Sequence, residues 1–145
     1  MLPIRKILHP TDLSDLSRSA FDFACALARD YGAELHILHV AELPLLTSMD
    51  GVLVPTPVDE AESARARLED LRPLDSEVTC SPRLVEGVPA EEILTLARDL
   101  PADMIVMGTH GRGGFSRTLM GSVAEAVTRK APCPVLIARS PFPRK

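Results

Sequence analysis

Apolar residues along this chain recur with two alternating periods. Short contiguous or alternating apolar runs lie at 4–8, 35–40, 77–85, 104–107 and 135–137, the signature of strands. Between them, apolar residues return every three to four positions, as on one helix face. The first such stripe is Leu16, Ala20, Phe23, Ala24, Leu27 and Tyr31, with Ser14 or Asp15 as its cap and Gly32 as its stop. The second is Ala61, Ala64, Leu68 and Leu71, ended by Pro73. The third opens at Gly87 and Pro89 and turns Ile93, Leu94, Ala97 and Leu100 inward. The fourth is short, with Val123 and Val127 inward and Ser122 and Glu125 set as a capping box. Residues 41–57 carry Pro44, Gly51, Pro55 and Pro57 and read as a long loop.

The order is therefore β-α-β-α-β-α-β-α-β. Regular alternation implies a parallel sheet covered on both faces, because right-handed crossovers place helices there. Met104-Ile105-Val106-Met107 has the unbroken apolar character of a strand buried on both sides. Pro82 interrupts the third strand and assigns it to a sheet edge. No repeat or second unit is visible, and residues 1–145 are expected to form one doubly wound, Rossmann-like α/β domain.

Composition narrows the function. Aromatics are 3% of the chain and Trp is absent, so a stacking platform for single-stranded nucleic acid is not expected. A net charge of −4 disfavours nucleic acid and anionic membranes as partners. Three separated cysteines (Cys25, Cys80 and Cys133) fit reduced thiols rather than a disulfide framework. No run approaches the roughly 20 apolar residues of a membrane span, and a cytoplasmic protein is expected. His36 and His39, three apart on one strand, face opposite sides and form no metal site.

In doubly wound sheets, ligands bind beyond the carboxyl ends of the strands. Two segments stand there. Pro10-Thr11-Asp12 follows the first strand, and Gly108-Thr109-His110-Gly111-Arg112-Gly113-Gly114 follows the fourth, with Gly121-Ser122 at the next helix start. Five of the eight glycines fall between 108 and 121. Backbone amides without a Cβ in the way converge on an anion, and a helix N-terminus adds partial positive charge. Micromolar binding of a polyphosphate requires about 8 kcal/mol. Charge-assisted hydrogen bonds at ~1.5–3 kcal/mol each supply much of it, with adenine burial adding the rest. Neither GxxxxGK[ST] nor a GxGxxG after the first strand is present, which removes P-loop and dinucleotide-binding readings.

Gly108-x2-Gly111-x9-Gly121-Ser122 matches the G-x2-G-x9-G-[ST] spacing of the ATP-binding universal stress proteins. The segments 6–14, 103–111 and 131–136 also resemble that family's first strand and turn, fourth strand and loop, and closing strand, in the same order. The resemblance implies a five-stranded sheet of order 3-2-1-4-5 and a site for ATP. By position, Pro10, Thr11, Asp12 and Val40 would hold adenine and ribose. Met107, Gly108, His110, Gly111, Arg112, Gly121, Ser122 and Val123 would line ribose and phosphates. Mg²⁺ or Mn²⁺ would ride on the phosphates, since residues 108–122 contain no acid. No catalytic base is evident, so slow hydrolysis is the most that is expected. The expected role is a nucleotide-dependent regulatory module in the stress response. The alternative is a nucleotide-free dimeric scaffold. An AMP-forming nucleotidyl transferase would need an HxGH-type signature, which Pro10-Thr11-Asp12-Leu13 is not. A homodimer is expected through the edge strand at Val135, Leu136 and Ile137, where the family pairs its subunits.

Overall fold

A computed structural model describes residues 3–42, 58–109 and 121–139. The elements are β1 (Lys6–Pro10), a 3₁₀ turn (Asp15–Ser17), α1 (Arg18–Tyr31), β2 (Glu34–Ala41), α2 (Val58–Asp70), β3 (Cys80–Glu86), α3 (Pro89–Asp99), β4 (Met104–Gly108), α4 (Ser122–Lys130) and β5 (Val135–Ala138). All strand pairs are parallel, in the order β3-β2-β1-β4-β5. That is the expected doubly wound sheet, with β3 and its Pro82 at an edge.

Alternation along the strands builds two cores. Ile7, Leu35, Ile37 and Val106 meet Phe21, Ala24 and Ala28 of α1 and Leu68 of α2 on one face. Leu8, Leu38, Val40, Ile105 and Met107 meet Ile93, Leu94 and Ala97 of α3 and Ala124 and Val127 of α4 on the other. β1 and β4 contribute side chains to both, as strands buried on two faces must. At the opposite end from the candidate site, Asp103 accepts hydrogen bonds from the Arg5 and Lys6 amides (2.9 and 3.0 Å), tying the start of β1 to the start of β4.

Several boundaries and faces differ from the sequence reading. β1 begins two residues later and continues through Pro10; Ile4 precedes the strand but is still buried. The α1 face centres on Ala20, Phe21, Ala24 and Ala28, with the expected Phe23 and Leu27 packed against it, while Leu16 and Tyr31 are exposed. For Leu16 the reason is the 3₁₀ turn. It carries Leu16 and advances three residues per turn rather than 3.6, so the stripe does not run on from it. The three alanines also let α1 approach the sheet closely. Ser14 caps that short turn and not α1, whose N-cap is Ser17. β3 starts at Cys80 because Asp75 holds a turn before it, accepting from the Glu77 and Val78 amides. The capping box at α4 does not form: Gly121 is the N-cap, Ser122 makes no capping bond, and Glu125 pairs with Arg129 at 2.6 Å. Gly32 ends α1 as expected, with φ 64° and Ala33 N–H bonded back to the Ala28 carbonyl. Residues 43–57, read as a loop, lie outside the described residues.

Candidate nucleotide site at the ends of β1 and β4

Because Ile7 lies beside Met104 and Leu8 beside Ile105, the carboxyl ends of β1 and β4 emerge as neighbours. The chain leaving β1 is held first by β2. Thr11 N–H donates to the Leu38 carbonyl (2.9 Å), and His39 Nδ1–H donates to the Thr11 carbonyl (2.9 Å). A local network then turns the chain toward α1. Leu13 N–H donates to Thr11 Oγ1 (3.1 Å), and Ser17 Oγ–H donates to the Ser14 carbonyl (2.7 Å). With the Ser17 hydrogen so used, Thr11 Oγ1–H donates to Ser17 Oγ (3.0 Å).

Asp12 is the centre of this turn. Its Oδ1 accepts from Ser14 N–H (2.9 Å) and Ser14 Oγ–H (2.5 Å), an Asx turn rather than a cap on α1. Its Oδ2 is buried and has no hydrogen-bond partner among the described residues. A buried carboxylate oxygen without a donor costs roughly 1–3 kcal/mol or more, which marks this end of the sheet with an unmet acceptor. Leu13, next in sequence, holds φ 64° although it is not glycine, a conformation that costs about 1–2 kcal/mol.

On the β4 side, Gly121 N–H donates to the Thr109 carbonyl (2.7 Å), bringing the start of α4 back to the end of β4. The amides of Ser122 and Val123 lie in the first turn of α4, where backbone donors have no intrahelical acceptor. Gly121 has φ −61°, which any residue adopts. Gly108 is not left-handed either, and a Cβ there would meet only Ala20 Cβ at 3.9 Å. Neither backbone conformation calls for glycine.

Beneath the turn lies His9, fully buried, its Nδ1–H donating to the Val106 carbonyl (2.8 Å) and its ring 5.8 Å from that of Phe21. Its Nε2 has no partner among the described residues. Burial lowers its pKa to about 4, against the raising effects of the Val106 hydrogen bond and of Asp12, so the imidazole is neutral at physiological pH.

The structure thus gathers Pro10, Thr11, Asp12, Gly108, Gly121, Ser122 and Val123 at the same end of adjacent strands. Val40 and Met107 end their strands there too, but their side chains are buried in the α3–α4 core. His110, Gly111 and Arg112 lie outside the described residues. The sequence reading missed Leu13, Ser14, Ser17, His39 and Arg67 (which donates to the Leu13 carbonyl). The Ser/Asp spacing of 11–17 was the available signal for three of them. Among the described residues, no three His, Cys, Asp or Glu gather to hold a metal, and no helix is long and apolar enough to cross a membrane. Burial raises the pKa of all three thiols, that of Cys25 to about 12.

Residues 3–139 match the family model of the universal stress proteins. A universal stress protein of Methanocaldococcus jannaschii is 36% identical over 141 residues, covering 94% of this chain and 83% of the relative. Universal stress protein UspA from Lactobacillus plantarum superposes with a TM-score of 0.74 at 25% identity, covering 96% of this chain and 100% of that one. A universal stress protein in complex with cAMP superposes with a TM-score of 0.67 at 26% identity, covering 96% and 99%. On the whole-length family match, the sheet order and these likenesses together, the chain belongs to the universal stress protein family.

Proposed function

We propose that this chain is an adenine-nucleotide-binding regulatory module of the stress response, taking its ligand where β1, β4 and α4 converge. The observation that carries the reading is Asp12 Oδ2, a buried acceptor with no donor among the described residues, which a ribose hydroxyl or adenine amino group would satisfy. Two further features support it. Neither Gly108 nor Gly121 has a left-handed φ that calls for glycine, and glycine at such positions lets phosphate approach the backbone amides closely. A similar structure is a complex with cAMP, an adenine nucleotide. Pro10, Thr11, Asp12 and the backbone at Val40 take the base and ribose in this reading. The backbone at Met107 and Gly108, with Gly121, Ser122 and Val123, takes ribose and phosphates, joined by His110, Gly111 and Arg112. ATP is the proposed ligand, with Mg²⁺ or Mn²⁺ held by its phosphates. The protein works as a homodimer paired through β5, in the cytoplasm.

Titration calorimetry with ATP, ADP, AMP and cAMP tests this directly. At least one should bind with a Kd near or below the micromolar range, and Gly121→Val should abolish binding while circular dichroism is unchanged. No heat with any of the four, or equal affinity in Gly121→Val, would overturn the reading.

A further inference from the structure

The turn after β1 is tied within itself and to β2, but one hydrogen bond reaches it from the far side. Arg67, near the C-terminal end of α2, donates through Nη2 to the Leu13 carbonyl. The two residues are 54 apart in sequence and flank a cleft of about 210 Å³ that Ser14, Ser17, Arg18 and Asp70 also line. Arg67 is otherwise an exposed side chain, and its contact would pass as incidental but for what it holds.

The Leu13 carbonyl and the Ser14 amide belong to one peptide group, which is planar and turns as a unit. One end of that plane accepts from Arg67, and the other end donates to Asp12 Oδ1. Leu13 is left-handed at φ 64°, a conformation its backbone disfavours, so the turn that carries this plane is held by its hydrogen bonds. The Leu13 side chain is buried against the α1–α2 core and fixes the residue's position, but it leaves the peptide plane to be set by its hydrogen bonds. We infer that Arg67 is a positioning residue for the nucleotide site: it fixes the Leu13–Ser14 peptide against Asp12 Oδ1 and so sets the orientation of the Asp12 carboxylate toward the ligand. This rests on the proposed nucleotide-binding function, and it makes α2 part of the site without touching the ligand.

Two readouts separate the inference from that function. Arg67→Met keeps the aliphatic stem and removes the donor, whereas Arg67→Lys keeps a cation able to reach the carbonyl. In ligand-free protein, hydrogen exchange at the Ser14 amide should speed up in Arg67→Met and stay close to wild type in Arg67→Lys. Nucleotide affinity, by calorimetry, should fall roughly three- to tenfold in Arg67→Met, the net scale of one ordinary hydrogen bond acting through the turn, and recover in Arg67→Lys. Melting temperatures should change little, since Arg67 is exposed. Wild-type Ser14 exchange in Arg67→Met, or undiminished affinity, would overturn the inference. If the wild-type chain takes up no nucleotide, the proposed function falls, and Ser14 exchange alone decides whether Arg67 sets the peptide.

Discussion

His9 shows how one residue beneath the site couples protonation to folding. Its Nδ1–H is committed to the Val106 carbonyl, so a second proton would have to sit on Nε2, which is buried with no partner among the described residues. Burial therefore dominates and lowers the pKa from 6.5 to about 4. The unfolded chain binds the proton at higher pH than the folded one, so stability rises with pH between these values. The His9 contribution is complete above pH ~6.5 and is lost as pH falls through that value toward ~4, a change of about 3 kcal/mol. Urea midpoints measured from pH 7 to pH 4 should fall, and fall less steeply in His9→Phe, which cannot take up the proton. Equal slopes in the two proteins would show that another group carries the acid sensitivity. Nitrogen NMR should find His9 as the Nδ1–H tautomer, without titrating, from pH 5 to 8.

At the scale of elements, glycines divide by what the backbone asks of them. Gly32 is left-handed at φ 64° with open space where a methyl group would sit, so Gly32→Ala meets only conformational strain. It should cost about 1 kcal/mol in thermal unfolding. Gly108 is not left-handed and has ordinary contact distance to Ala20, so Gly108→Ala should leave stability within ~0.5 kcal/mol of wild type. A large loss in Gly108→Ala would mean that the fold, not a ligand, needs that glycine. The same contrast explains what the sequence made legible. Sheet order came from the family resemblance, while the alternation of elements came from hydrophobic periods that burial enforces at every strand. Gly32 was readable because a helix stop has a chemical signature. The α1 face was readable in its middle, at Ala20, Phe23, Ala24 and Leu27, but not at its start, because the 3₁₀ turn that carries Leu16 differs from a helix in pitch. The α4 capping box had the right residues at the right spacing, yet Glu125 found Arg129 one turn on instead. Asp12 was legible from its place after β1. The Arg67 contact was not, since nothing local in sequence joins residues 54 apart.

For the whole molecule, the open question in the fold is the β5 edge. Pro134 turns its carbonyl to Ile105 of β4 at 3.0 Å, and strand geometry then alternates: Leu136 faces β4, while Val135 and Ile137 present N–H and C=O groups to the open side. Val135, Leu136 and Ile137 are partly exposed, and an apolar edge of this kind is a template for pairing with another chain. Two copies meeting antiparallel would satisfy those groups and cover the apolar side chains at once. Replacing Ile137 by Pro deletes one outward N–H and leaves the bonds to β4 in place, because proline is tolerated where a strand's N–H faces outward. Light scattering at micromolar concentration should find a dimer for the wild-type chain and a monomer for Ile137→Pro, with matching circular dichroism. A monomeric wild type, or an Ile137→Pro dimer, would place the interface elsewhere. The proposed site draws on β1, β4 and α4 of one chain, so on that reading the monomeric variant should still bind nucleotide, separating assembly from ligand recognition.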